Sequence, residues 1–207
     1  VQAVPESLFN NKDALSEIFK ESIPSYPRVH NFYKIDRVLE VGTHMLPATR
    51  AALNDGLGKE LATLGSLKEV NIIMIITSIA DPSYRYAVEN AWLGGEKNDV
   101  VLFIGVRGDV IVWTDVMTWA LNSGNEFFHV RMRDGLKEIG TIDPSKLVPF
   151  IARTVYEYYD RPHMSDFEYL KDAVEPPLWV IILAAILSIG GSIGLTIVFH
   201  RVDIDFF

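Results

Sequence analysis

The chain has no cysteine among its 207 residues. That excludes disulfides, thiolate metal sites and cysteine nucleophiles together, and it fits any redox compartment. Positive charge is the next shortage: 19 Lys and Arg stand against 27 Asp and Glu, for a net charge of −8. Nucleic-acid phosphates require a basic surface, and no stretch interleaves Lys or Arg with aromatics along a strand, so no nucleic acid is expected as a partner. The familiar catalytic signatures are missing as well. There is no Gly-x-Ser-x-Gly elbow, no His-Glu-x-x-His, no phosphate-binding P-loop and no dinucleotide fingerprint. The histidines (His30, His44, His129, His163 and His200) are scattered, with no pair at metal-ligand spacing.

What is abundant is apolar sequence, 49% of residues, enough for one main domain plus an appendage. The domain is organised around Val70–Trp113. Val70–Ile79 is a nearly continuous β-branched run, as expected of a strand buried on both faces. Asp81-Pro82-Ser83 then signals a turn and a helix start. Tyr84, Val88, Ala91 and Trp92 share one helical face, and Gly94-Gly95 ends that helix. After the charged loop Glu96–Asp99, a second apolar strand is predicted over Val100–Val106. Arg107-Gly108-Asp109 reads as a tight turn into a returning strand, Val110–Trp113.

The flanking segments carry weaker patterns. Leu8, Leu15, Ile18 and Phe19 approximate a helical stripe near the N-terminus, expected to pack on the domain or on a neighbouring subunit. Ser22–Pro27, with two prolines and two serines, reads as a linker. Leu46–Leu64 is predicted helical, with Leu46, Leu53, Leu57, Leu61 and Leu64 on one face and Gly65-Ser66 as its stop. Asp115–Leu121 reads as a short helix. Glu126–Arg133 alternates Phe128, Val130 and Met132 against His129, Arg131 and Arg133, and Asp134-Gly135 supplies hairpin-turn chemistry, so a second hairpin returning over Leu136–Ile142 is predicted. The same alternation puts Arg131 and Arg133, which could bind an anion, on a solvated strand face. Asp143-Pro144-Ser145 opens a helix carrying Leu147, Ile151, Val155 and Tyr158/Tyr159.

The run from Ala91-Trp92-Leu93-Gly94-Gly95 through Glu96-Lys97-Asn98-Asp99 to Val100-Val101-Leu102 resembles the TPM domain, a family of membrane-anchored or secreted extracytoplasmic modules. The resemblance includes the strand Ile72–Ile76 and an upstream helix, placed in Ile35-Asp36-Arg37-Val38-Leu39 and again in Leu46–Leu64. It covers roughly residues 32–159. Val100 stands where the family usually has glycine, and Val112-Trp113-Thr114-Asp115 stands in place of its Gly-x-Gly. The resemblance implies a TPM-like mixed sheet flanked by helices, an extracytoplasmic location, and a role in maintaining or turning over membrane protein complexes. Some relatives are said to hydrolyse phosphate esters.

Leu178–Phe199 contains no charge over its whole length. At ~1.5 Å per residue it spans the roughly 30 Å hydrocarbon core of a bilayer. Trp179 at one end and His200-Arg201 at the other suit the membrane interfaces. A single C-terminal transmembrane helix is therefore predicted. Ala184, Ser188, Ser192 and Thr196 recur every four residues, and Gly190 and Gly194 form a Gly-x-x-x-Gly. Small residues at this spacing allow close helix approach in lipid, so self-association is expected through them. The resulting organisation is an N-terminal helix and linker (1–31), an α/β domain (32–160), a connector (161–177), the span (178–199) and a short tail (200–207). Basic residues flanking the span do not decide its orientation. The chain begins with Val, which permits a cleaved signal peptide.

For chemistry, the acidic residues are the candidates. Asp81 follows the first core strand, Asp99 precedes the second, Asp115 follows the third, and Asp36 matches a family position. Together they are the candidate ligands for calcium or magnesium, which take several oxygen ligands. The simpler reading, and the one the sequence favours, is that they cap helices and solvate turns. The reading favoured by the sequence is a non-enzymatic, homo-oligomeric scaffold module held in the lipid bilayer, acting on or with another membrane protein complex. A metal-dependent phosphatase-like hydrolase and a subunit of a large ring or channel are the alternatives.

Overall fold

A computed structural model describes residues 16–27, 36–118, 125–161 and 178–202. The chain divides into two units, Val1–Pro162 and His163–Phe207.

The first unit is built on a four-stranded mixed sheet in the order β1-β2-β3-β4. β1 (Val38–Val41), β2 (Asn71–Thr77) and β3 (Asp99–Arg107) are parallel, and β4 (Val110–Thr118) returns antiparallel to β3. Every residue of β2 from Ile72 to Thr77 is buried, because the sheet is covered on both sides. Ile72, Met74 and Ile76 face one core; Ile73 and Ile75 face the other. The hairpin turns at Gly108, whose φ of 63° suits glycine. A bulge follows: Gly105 pairs with Trp113 and Val106 with Ile111, which leaves Val112 without a pairing position on β3.

Helix α1 (Pro47–Lys68) joins β1 to β2, and its Leu53, Leu57, Leu61 and Leu64 pack on the first face. Helix α2 (Tyr84–Ala91) joins β2 to β3 and sets Tyr84 and Val88 on the second face. Both crossovers step in the same direction across the sheet yet cover opposite faces, so they are of opposite hand. One of them therefore departs from the strong right-handed preference of such connections.

Helices α3 (Glu126–Ile139) and α4 (Pro144–Tyr158) complete the first face. Asp143 caps α4 as expected, accepting from Ser145 N at 3.0 Å. Asn125 ties the start of α3 to the end of α4, donating to Asp160 O at 2.7 Å and accepting from Asp160 N at 3.0 Å.

Several sequence expectations are corrected. The second hairpin is a helix: α3 buries Phe128, Met132 and Leu136, at i, i+4 and i+8, while Val130 is exposed. Two periods coexist in that stretch, and packing selects the helical one. Gly135 is no turn residue but a point of close approach, since a Cβ there would lie 2.1 Å from the Phe150 ring of α4. Asp115–Thr118 continues β4 rather than starting a helix, and residues 119–121 of that reading lie outside the described ones. Within Ile35–Leu39, read as helix, Val38 and Leu39 belong to β1, an edge strand ordered by parallel pairing with β2. α1 runs through the predicted stop at Gly65-Ser66 and ends at Glu69, whose φ is 49°. Leu8 and Leu15 lie outside the described residues.

The second unit contains helix α5 (Leu178–Val202). Leu178–Arg201 is long and apolar enough to cross a membrane, with an 18-residue stretch of mean hydropathy 2.4.

Candidate functional site

The Trp-Gly-acidic run singled out in the sequence closes α2 and starts β3. Leu93, Gly94 and Gly95 adopt φ values of 53°, 82° and 76°, a left-handed succession that glycine makes accessible. The loop shuts on Asp99, which accepts Glu96 N at 2.9 Å through its carboxylate while its own N–H reaches Glu96 O at 2.9 Å. Asp99 is almost wholly buried, at 1% exposure. A buried carboxylate requires donors, and three surround it. Besides Glu96 N, Asn71 Nδ2 donates at 2.8 Å and the Tyr26 hydroxyl at 2.6 Å. Asn71 in turn accepts from the Arg37 guanidinium. Burial lowers the Arg37 pKa against the opposing pull of Asp99. Burial first, and then donation to Asp99, raises that of Tyr26.

Tyr26 belongs to the segment read as a linker. Residues 16–27 instead form a strap seated on the second face of the sheet, and Phe19, Ile23 and Tyr26 pack against its core. The Tyr84 hydroxyl donates to Ser22 O at 2.8 Å, and Trp92 Nε1 donates to Pro24 O at 2.9 Å. Phe19 meets Tyr84 edge-to-face at 5.5 Å, and Tyr26 meets Trp92 at 5.2 Å. Asn90 Nδ2 donates to Ser16 Oγ at 2.8 Å. Beside the strap a cleft of about 440 Å³ opens between Ile23–Tyr26 and Ala91–Leu93. The sequence signal for this docking was present in the pairing of prolines with Tyr26, but it reads equally as a linker.

The four carboxylates offered as candidate cation ligands are not brought together. Asp36 is exposed and pairs with Arg50. Asp99 lies at the start of β3, whereas Asp81 lies beyond the far end of β2 and accepts from Ser83 N at 2.9 Å. Asp115 stands within β4 opposite Phe103. Among the described residues, no group of three or more His, Asp or Glu side chains is arranged to hold a metal ion.

Two arrangements were not anticipated. Arg85, 8% exposed, lies between Glu89 at 3.5 Å and Asp115 at 3.8 Å. His129 from α3 adjoins this cluster and shares a hydrogen bond with Thr118 Oγ1 at 2.9 Å. Its pKa is lowered by burial first and by Arg85, with Asp115 opposing. A second feature, an open groove of about 1150 Å³, runs between β1 and α1, lined by Arg37, Glu40, His44, Asn54 and Lys59 among others.

In α5, the small residues fall on two sides. At ~100° per residue, Gly190 and Gly194 lie roughly 200° around the helix from the midpoint of the Ala184, Ser188, Ser192, Thr196 ridge. The expected single association face is thus two stripes. Thr196 Oγ1 donates to Ser192 O at 2.8 Å within the helix. Trp179 stands in the first turn, and His200 and Arg201 in the last.

No family model matches the chain, and no curated protein matches it. A solved structure, the solution NMR structure of the N-terminal domain of the cg2496 protein from Corynebacterium glutamicum, is similar at 13% identity with a TM-score of 0.37. The match covers 63% of this chain and 85% of that one. A likeness this low bears on neither fold nor function.

Proposed function

We propose that this chain is a membrane-anchored, non-enzymatic binding and scaffold module that self-associates and works on or with membrane protein complexes, its α/β domain outside the cytoplasm. The observation that carries the anchoring is α5: 24 residues containing an 18-residue stretch of mean hydropathy 2.4, with exposed large side chains such as Ile186 and Leu187. Binding rather than catalysis is supported by how the carboxylates are used, each engaged by local donors or cations at separate places. The likeness of the Trp-Gly-acidic run to the TPM domain supports the extracytoplasmic side.

One observation favours a second reading, a subunit of a ring or channel. Two small-residue stripes on different sides of one helix suit packing against two neighbours, and such heterologous interfaces close into rings. The test for both readings is the mass of the protein in mild detergent, by light scattering with the detergent subtracted. A defined multimer is expected, with a high stoichiometry favouring the ring; a monomer overturns self-association. Protease accessibility of the α/β domain in sealed vesicles tests its side.

A further inference from the structure

The strap is held the way a bound peptide is held. Two of its backbone carbonyls, at Ser22 and Pro24, are taken by side-chain donors of the domain, Tyr84 and Trp92. Its one tyrosine reaches a buried carboxylate that is already fixed by Asn71 and Glu96 N. Its sequence there is Pro24-Ser25-Tyr26-Pro27, a stretch outside any helix or strand and bracketed by prolines. Indole and phenol donors aimed at the carbonyls of such a segment are how aromatic-lined grooves recognise proline-rich peptides, because the segment's stiffness lowers the entropy lost on docking.

None of these bonds requires that strap and groove belong to the same chain. Eight residues separate Pro27 from Asp36, and that length extended reaches up to ~30 Å. We propose that the groove formed by Tyr84, Trp92, Leu93 and Asp99 is a recognition site for a proline-bracketed, tyrosine-containing segment. In the assembled protein its occupant is the strap of a second copy, exchanged between neighbours. Exchange of an identical element is a low-cost route to assembly, because the hydrogen bonds and ring packing that hold the strap on its own domain form equally well on a neighbour's. This inference rests on the self-association proposed above and assigns it a site in the α/β domain, besides the membrane helix.

The test uses the full chain in mild detergent. A photoreactive amino acid replaces the exposed Ser25 in a tagged copy, co-expressed with an untagged copy. A covalent tagged–untagged product joining position 25 to residues 91–93 is expected. That product is expected to fall at least tenfold when the untagged copy carries Trp92→Phe. Leu93→Asn in the untagged copy is the second variant, since Leu93 is exposed at positive φ, where asparagine is tolerated and the fold is kept. Crosslinks confined to single chains within a particle of multimeric mass overturn the exchange and leave self-association standing. Single-chain crosslinks with a monomeric mass overturn both.

Discussion

Tyr26 donates its hydroxyl hydrogen to the carboxylate of Asp99 at 2.6 Å, joining residues 73 positions apart. Asp99 is buried and ionisable, so each of its donors matters more than a surface hydrogen bond would. Tyr26→Phe keeps the ring against Trp92 and removes only the donor. It is expected to lower stability by about 1.5–3 kcal/mol, the range for hydrogen bonds to charged groups. Urea unfolding of the two proteins measures it, and an unchanged midpoint would show that water replaces the hydroxyl freely.

Stability is expected to fall in alkali. Burial is the main cause that raises the pKa of Tyr26, Tyr84 and Tyr159, the last to about 12. Tyrosines in the unfolded chain lose their protons near pH ~10. Above that pH the folded state holds more protons than the unfolded one, so the free energy of unfolding declines as pH rises. Urea midpoints at increasing pH should drop from about pH 10 upward, and less steeply in Tyr84→Phe.

A second pH effect has the opposite direction. Burial, and then Arg85, hold His129 below the usual imidazole range, so the folded state disfavours its proton. As pH falls below ~6.5 the unfolded chain takes up a proton that the folded one resists, and stability declines. His129→Gln should flatten the profile on the acid side. A profile identical to that of the unsubstituted protein would mean that His129 carries no part of it.

Two glycines of α1, two residues apart, should respond oppositely to alanine. Gly58 has no atom within 4 Å of where a Cβ would stand, so Gly58→Ala should stabilise by up to ~1 kcal/mol through helix propensity alone. At Gly56 the same atom would lie 2.9 Å from Val148 Cγ2, where α1 meets α4. Gly56→Ala should therefore destabilise, by about 1–3 kcal/mol for an overpacked site. Thermal melts of both variants check the contrast.

In α5, Gly190→Leu with Gly194→Leu blocks one stripe, and Ala184→Leu with Ser188→Leu blocks the other. If both stripes pack against neighbours, either pair of substitutions should reduce the detergent-extracted mass. A mass that responds to one pair alone would argue for a dimer using a single face.

The expected strands at Val70–Ile79 and Val100–Val106 and the turn at Gly108 were readable because their signals are local: β-branched runs, and a glycine where φ must be positive. The Asp143 cap of α4 is of the same kind. The stretch from Glu126 to Arg133 was misread because Phe128, Val130 and Met132 satisfy a period of two while Phe128, Met132 and Leu136 satisfy a helix. Only the helices packed on the sheet can choose between those periods. β1 was misread for a related reason, being four residues long and strand-like only through its pairing with β2.

The candidate site divides in the same way. The sequence singled out Trp92, Gly94, Gly95 and Asp99 as a unit through their likeness to the TPM pattern, and the structure gives the physical reason: a left-handed backbone closed by a short acidic side chain. It could not show that Asp36, Asp81 and Asp115 lie elsewhere, because separation across a sheet is set by strand direction and register.

By itself the sequence determined an apolar C-terminal helix long enough for a bilayer and an α/β core before it, since hydropathy and β-branched runs act residue by residue. The tertiary structure alone decided that a proline-rich stretch is a strap rather than a linker. Its hydrogen-bond partners, Tyr84, Trp92 and Asp99, lie far along the chain, and only folding brings them within reach.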